Sequence, residues 1–156
     1  MNYLIRPAEP HDISAIIELC AEHAEYEKAT YSTEGKAEKL SSFLFIPNPR
    51  LFCLVAEINQ SIVGYTTYMK EFSTWDTDFY IHMDCLYLKP EARSLGIGEE
   101  FVRSIASHAL SLGIMQIQWQ TPDFNERAIK FYHRIGAISK PKFRMFLNPA
   151  ALFHNS

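Results

Sequence analysis

The stretch from Leu86 to Phe101 constrains this chain more than any other. An apolar strand runs out near Leu88, Pro90 ends it, and Arg93-Ser94-Leu95-Gly96-Ile97-Gly98 leads into a strongly amphipathic helix. Phe101, Val102, Ile105, Ala106 and Leu110 form that helix's apolar face, and Gly113 stands where a C-cap belongs. A helix N-terminus carries about half a positive charge and unpaired N–H donors. Glycines let a phosphate reach those donors without a Cβ in the way. With Arg93 at its mouth the junction suits a pyrophosphate. It is not the dinucleotide fingerprint, because Phe101 stands where the third glycine belongs, and the Lys-Ser/Thr pair of a P-loop is absent. Taken alone, the loop also reads as a plain turn.

The periodicity elsewhere predicts an α/β domain. Tyr3 to Ala8 reads as a short strand, followed by a helix carrying Ile13, Ile16, Ile17 and Cys20, with Asp12 favouring its N-terminal end. A second helix is expected over Ser32 to Leu44, with Ser32-Thr33-Glu34 as cap candidates. The period then changes to two. Leu51 to Ala56, Ile62 to Tyr68 and Phe79 to Leu88 read as an antiparallel meander whose first turn is Asn59-Gln60-Ser61. After the amphipathic helix come a strand over Ile114 to Trp119, a helix over Asn125 to Arg134 stopped by Gly136, and a last strand over Phe143 to Leu147. The expected order is β-α-α-β-β-β-α-β-α-β, a mixed sheet with helices packed on it, in a single domain over 1–156.

Composition narrows the class. With 156 residues, 47% of them hydrophobic and a net charge of −3, the chain reads as one ordinary globular domain. It lacks the clustered Lys/Arg of a nucleic-acid partner. No apolar run approaches the ~20 residues of a membrane span, and the N-terminus has no signal-peptide pattern, so a cytoplasmic location is expected. Cys20, Cys53 and Cys85 have neither disulfide-framework nor zinc spacing and read as reduced core thiols.

Two motifs together resemble one family. Arg93-x-x-Gly96-x-Gly98 looks like the R/Q-x-x-G-x-G/A pyrophosphate loop of the GNAT acetyltransferase superfamily. About thirty residues on, Asn125 to Ala137 looks like its N-x-x-A-x-x-F-Y-x-x-x-G-A/F segment. Within the superfamily the chain resembles the diamine and polyamine (spermidine/spermine-type) acetyltransferases through Tyr26-Glu27, Trp75 and the Asn125 segment. It resembles the yeast Hpa-type amine and histone acetyltransferases through Thr74-Trp75-Asp76 and Trp119-x-Thr121-x-x-x-Asn125.

The resemblance implies a GNAT fold, acetyl-CoA as co-substrate, no metal, a small amine as partner and a homodimer to which Pro149 to Phe153 contributes. The cofactor would lie on the backbone of Leu86, Tyr87 and Leu88 and on the turn Arg93, Ser94, Leu95, Gly96, Ile97, Gly98 and Glu99, with Asn125 and Ala128 on the other side. Tyr132 is the candidate acid for the leaving thiolate, against the alternative of a core aromatic beside Phe131. Asp84 is the candidate base, because an alkyl ammonium with pKa near 10.4 must lose a proton before it attacks. A two-residue step puts Asp84 on one strand face with His82 and Leu86; the alternative is a structural carboxylate. His82 and Asp84 have no third ligand at usable spacing. Tyr26, Glu27, Trp75 and Asp76 fall in loops expected over the acceptor, where carboxylates beside aromatic walls suit a cation. The rival readings are a protein-lysine or amino-acid acetyltransferase and a non-catalytic acyl-CoA-binding module.

Overall fold

A computed structural model describes residues 2–153. They divide into two compact units, one ending at Pro122 and the other starting at Asp123. The first holds a five-stranded sheet in chain order: β1 (Leu4–Pro7), β2 (Leu51–Ile58), β3 (Ser61–Ser73), β4 (Asp78–Leu88) and β5 (Ile117–Gln118). The first four strands are antiparallel, and β5 joins β4 in parallel. Helices α1 (Ile13–Tyr26) and α2 (Lys36–Leu44) precede β2, and α3 (Ile97–Ser111) links β4 to β5.

Two apolar clusters hold the helices to opposite faces. Ile16 and Leu19 of α1 and Leu44 of α2 pack with Val55, Tyr65 and Tyr87. Ile97 and Phe101 of α3 pack with Ala56, Ile58 and Val63 on the other face. Facing strands share faces and successive residues alternate, so each strand feeds both clusters. Asn59 and Gln60 both have positive φ, as the tight β2–β3 hairpin requires.

Several expectations are corrected here. Helix α2 begins at Lys36 behind a left-handed Gly35, without a cap from Ser32 or Thr33. Asp12 is the N-cap residue of α1, but its side chain makes no bond to the first-turn amides. It is buried, takes two N–H bonds from the Arg6 guanidinium at 2.7 and 2.9 Å, and accepts the Glu9 N–H. The strand expected over Ile114 to Trp119 shrinks to Ile117–Gln118. Leu110 is exposed while Ala109 is buried, so the inward face of α3 is Phe101, Ile105 and Ala109.

In the second unit, α4 (Glu126–Arg134) begins at Asn125, whose Oδ1 accepts the Ala128 N–H at 3.3 Å. Gly136, with φ of 105°, stands just past its end. No strand forms over Phe143 to Leu147. Among the described residues no neighbouring backbone pairs with that segment, and Phe143, Met145, Phe146 and Leu147 are exposed. Its apolar run has strand composition without a strand partner, and composition alone does not make a ladder.

Candidate active site

One irregularity of β4 organises the site. Thr67 of β3 faces Cys85, yet the next residue, Tyr68, faces Met83. Asp84 is therefore the extra residue of a β-bulge, which re-aims the strand around it. The bulge interrupts the two-residue alternation. His82, opposite Met69, and Cys85, opposite Thr67, belong to the α1 face, whereas Leu86 packs with the α3 cluster. The shared face expected of Asp84 and Leu86 is thus overturned. Asp84 lies with His82 and Cys85 instead: its Oδ1 is 3.9 Å from His82 Nε2, and its Oδ2 accepts from Cys85 Sγ at 3.7 Å.

Among the described residues β4 has one strand partner beyond the bulge. β5 pairs with Ile81 and His82 and goes no further. Lys89 donates its N–H to Val63 of β3 at 2.8 Å. Backbone groups of alternate residues face opposite edges, so those of Leu88 and Leu86 face the edge without a strand. That edge offers hydrogen bonds to an extended, amide-containing chain.

The edge leads into the glycine turn. Ser94 (φ 64°) and Gly96 (φ 85°) both adopt the left-handed region, and Gly96 is the N-cap of α3 with no side-chain bond to the first-turn amides. Such alternation of backbone hand makes an anion-binding concavity. Leu95 and Ile97 anchor the turn by packing into the α3-side cluster, and buried Gly98 follows. Glu99 is paired with Arg103 at 3.1 Å, which offsets a carboxylate at the helix start.

Arg93 turns towards α1. Its Nε donates to the Leu88 carbonyl at 3.0 Å, and its guanidinium carbon lies 4.9 Å over the Tyr26 ring and 5.5 Å over the Tyr87 ring. Beside it opens a cleft of about 450 Å³ whose walls include Glu22, Glu25, Tyr26, Tyr87, Lys89 and Arg93. Glu22 Oε1 is 3.3 Å from Lys89 Nζ, and its Oε2 is buried without a hydrogen-bond partner. An orphaned carboxylate oxygen beside aromatic rings suits an ammonium.

Other expected residues go elsewhere. Glu27 is bound to His23 Nε2 and is not among the residues lining the cleft. Trp75 and Asp76 form the tip of the β3–β4 hairpin, where Trp75 is 98% exposed. Asn125, Ala128 and Tyr132 lie in the second unit, with the Tyr132 ring 5.1 Å from that of Phe131. Sequence reasoning missed His23, Tyr65 and Gly64. His23 Nδ1 is 3.0 Å from the Tyr65 hydroxyl, and its ring stacks on Tyr87 at 5.2 Å. The signal available was helical spacing: Cys20 and His23 of α1 and Glu27 at its C-cap recur at three and four residues.

Comparison with known proteins places this geometry. A family model described as "Acetyltransferase (GNAT) family" matches residues 16–137. Thialysine N-epsilon-acetyltransferase of Sus scrofa is 36% identical over 144 residues, covering 87% of this chain and 84% of that protein. The Homo sapiens spermidine/spermine N(1)-acetyltransferase-like protein 1 is 27% identical over 88% of this chain and 21% of its own length. The D-amino-acid N-acetyltransferase HPA3 of Saccharomyces cerevisiae is 24% identical over 85% and 83% of the two chains. Among solved structures, a transcriptional regulator from Bacillus halodurans C-125 superposes with a TM-score of 0.81 at 19% identity. It covers 94% of this chain and 100% of that one, a likeness of fold.

Proposed function

Because this chain belongs to the acetyltransferase (GNAT) family, we propose that it moves an acetyl group from acetyl-CoA to the primary amine of a small cationic acceptor, a diamine or polyamine. N-acetyl transfer itself follows from the family and from the relatives' names; the donor and the acceptor are our reading. The observation that carries it is the strandless edge of Leu86 and Leu88, running from the Asp84 bulge into the left-handed turn at the start of α3. It fits a pantetheine arm followed by a pyrophosphate, with Arg93 to Glu99 as the turn that holds the phosphates. Acetyl-CoA, when bound, supplies a thioester whose carbonyl carbon an amine can attack.

The chain's own residues manage the protons. Asp84 accepts one from the acceptor ammonium, directly or through a water, and frees the nitrogen lone pair. The Tyr132 hydroxyl gives a proton to the leaving sulfur, and the second proton that the nitrogen sheds on acylation restores the phenol. Asn125 and Ala128 contribute to the cofactor side. In this reading residues 1–156 work as one acetyltransferase domain, as a homodimer in the cytoplasm. No helix among the described residues is long and apolar enough to cross a membrane. Glu22, Glu25 and Tyr26 in the cleft serve the second ammonium of the acceptor, and His82 stands beside the base.

A second reading, the terminal amine of a basic amino acid, is favoured by the relatives named for thialysine. Its carboxylate needs a cation. Arg50 is committed to Glu71 at 3.1 Å and Lys70 sits over Phe79, whereas Lys89 and Arg93 line the cleft. The test is thiol release from acetyl-CoA with 1,5-diaminopentane, pentylamine, lysine and thialysine. The first reading expects the diamine to exceed pentylamine in kcat/KM. Faster thialysine or lysine supports the second, and equal rates for diamine and monoamine overturn the cationic pocket.

A further inference from the structure

One buried hydroxyl stands in the apolar face that packs on α3. Thr66 of β3 faces Leu54 of β2 on one side and Leu86 of β4 on the other. Both leucines pack against the α3-side cluster, and Thr66 itself is 0% exposed. A valine has the same branched shape and would bring no polar atom into that row. A buried hydroxyl needs a partner, and Thr66 Oγ1 donates to the Cys85 carbonyl at 2.7 Å. That carbonyl belongs to the residue directly after Asp84, the extra residue of the bulge. Acetyl transfer as derived above gives Thr66 no part.

Resting on the acetyltransferase reading, we infer that Thr66 is a positioning residue: its hydroxyl pins the Cys85–Leu86 peptide and thereby sets the aim of Asp84 and the direction of the Leu86 N–H. A trans peptide is planar, and its C=O and N–H point opposite ways. Thr66 holds the Cys85 carbonyl on the β3 side, so the Leu86 N–H points away from β3, into the edge that β5 leaves uncovered. Asp84 lies one residue before the pinned peptide. A bulge interrupts the ladder around its extra residue and leaves that residue unpaired. The Thr66 bond is a fixed point immediately past the interruption. Through Cys85 it limits where the Asp84 carboxylate can reach, beside His82 Nε2 at 3.9 Å and Cys85 Sγ at 3.7 Å. Thr66 lies in the core and acts through the strand, not by contact with the acceptor.

Two substitutions separate the hydrogen bond from the packing. Valine keeps the shape and leaves the Cys85 oxygen without this donor. Serine keeps the donor and gives up one methyl group. The titratable groups around Asp84 are His82 and Cys85 of β4 and Cys20 of α1. Burial raises both thiols, that of Cys85 to about 12, so they stay neutral near neutral pH. Thr66 carries no charge in any of these forms. Its replacement therefore changes the pH dependence of the reaction by moving Asp84, and Asp84→Asn is the reference for a base that no longer serves.

The test is kcat against pH for the full chain with acetyl-CoA and 1,5-diaminopentane, thermal midpoints measured alongside. Thr66→Val should lower kcat on the order of tenfold or more and move the profile to alkaline pH, in the direction of Asp84→Asn. Thr66→Ser, with the hydroxyl restored, should return the profile to that of wild type. Ile105→Val trims a buried side chain of α3 and removes no hydrogen bond, so it should melt lower and keep the wild-type profile. Amide hydrogen exchange reads the bond without activity: the Cys85 N–H should exchange about tenfold faster in Thr66→Val. Wild-type kcat and profile in Thr66→Val overturn the positioning role. A slower rate with an unshifted profile, or a shift that Thr66→Ser or Ile105→Val shares, also overturns it and makes Thr66 a packing residue. If Thr66→Val does not fold, Thr66→Cys, whose thiol is a weak donor, carries the same expectations. Wild-type protein inactive on every amine would instead refute the acetyltransferase reading, and unchanged exchange in Thr66→Val would refute the pinned peptide by itself.

Discussion

Gly64→Ala tests whether the β4 edge proposed to hold the cofactor depends on a close approach between two strands. Gly64 faces Leu88 in the β3–β4 register. A Cβ built there lies 2.4 Å from Leu88 Cδ2, 2.9 Å from the Tyr87 carbonyl oxygen and 3.5 Å from Phe101 Cε2. The Leu88 methyl can swing aside, but the Tyr87 oxygen is backbone, so β4 itself must retreat by about a few tenths of an ångström. Overpacking of this kind costs about 1–3 kcal/mol. For a chain of this size each kcal/mol lowers the thermal midpoint by about 2–4 °C, so a drop on the order of 4–8 °C is expected for a 2 kcal/mol loss. The retreat displaces Leu86 and Leu88, so coenzyme A affinity should fall as well. Circular dichroism melting and calorimetric titration with coenzyme A measure the two effects. Adding Leu88→Ala removes the methyl clash and leaves the carbonyl clash, so the double variant should not regain wild-type affinity. A Gly64→Ala protein that melts within a degree of wild type and binds coenzyme A equally well would refute the reasoning.

Arg6→Met strands the buried Asp12 carboxylate and should cost about 3 kcal/mol at neutral pH, read by denaturant unfolding. The Arg6 guanidinium holds Asp12 below the usual carboxylate range. That stabilisation is complete above the unfolded value near 3.9 and is lost as pH falls through the folded value, so the gap between variant and wild type should close below about pH 4. Tyr132→Phe should lower kcat by ~10²-fold or more with acetyl-CoA affinity nearly unchanged, if the hydroxyl protonates the leaving sulfur. Asp84→Asn should lower kcat and move the rate profile to alkaline pH, where the amine is free without help; an unshifted profile removes Asp84 as base.

Most of the fold was legible because period and punctuation agree. The change from helical to alternating spacing at Leu51, the Asn59-Gln60 turn and Gly113 past the end of α3 each mark a boundary that the structure keeps. Where the reading failed, the missing information was a partner. Phe143 to Leu147 has strand composition, but a strand is a relation between two backbones. Ser32 and Thr33 are good caps by type, yet Gly35 takes the left-handed position that starts α2. Gly64 was readable in principle, since a glycine inside an apolar strand points to close backbone approach.

The site was legible as a set of residues and not as an arrangement. Counting by twos from Leu86 placed Asp84 on the cofactor face, because periodicity assumes an unbroken ladder. One inserted residue inverts every assignment on its far side. The bulge that spoiled the count puts Asp84 against Cys85 and His82 and away from the α3 cluster. Glu27 follows the same logic. Its position after α1 made it look like an acceptor ligand, yet helical spacing from His23 commits it to an imidazole. Two carboxylates expected to share one pocket thus have separate partners, Asp84 with His82 and Cys85 and Glu27 with His23. Replacing Glu27 by Gln should therefore weaken its contact with His23 and leave the acceptor KM unchanged. An acceptor KM that rises while the single-turnover rate stays constant would return Glu27 to the pocket.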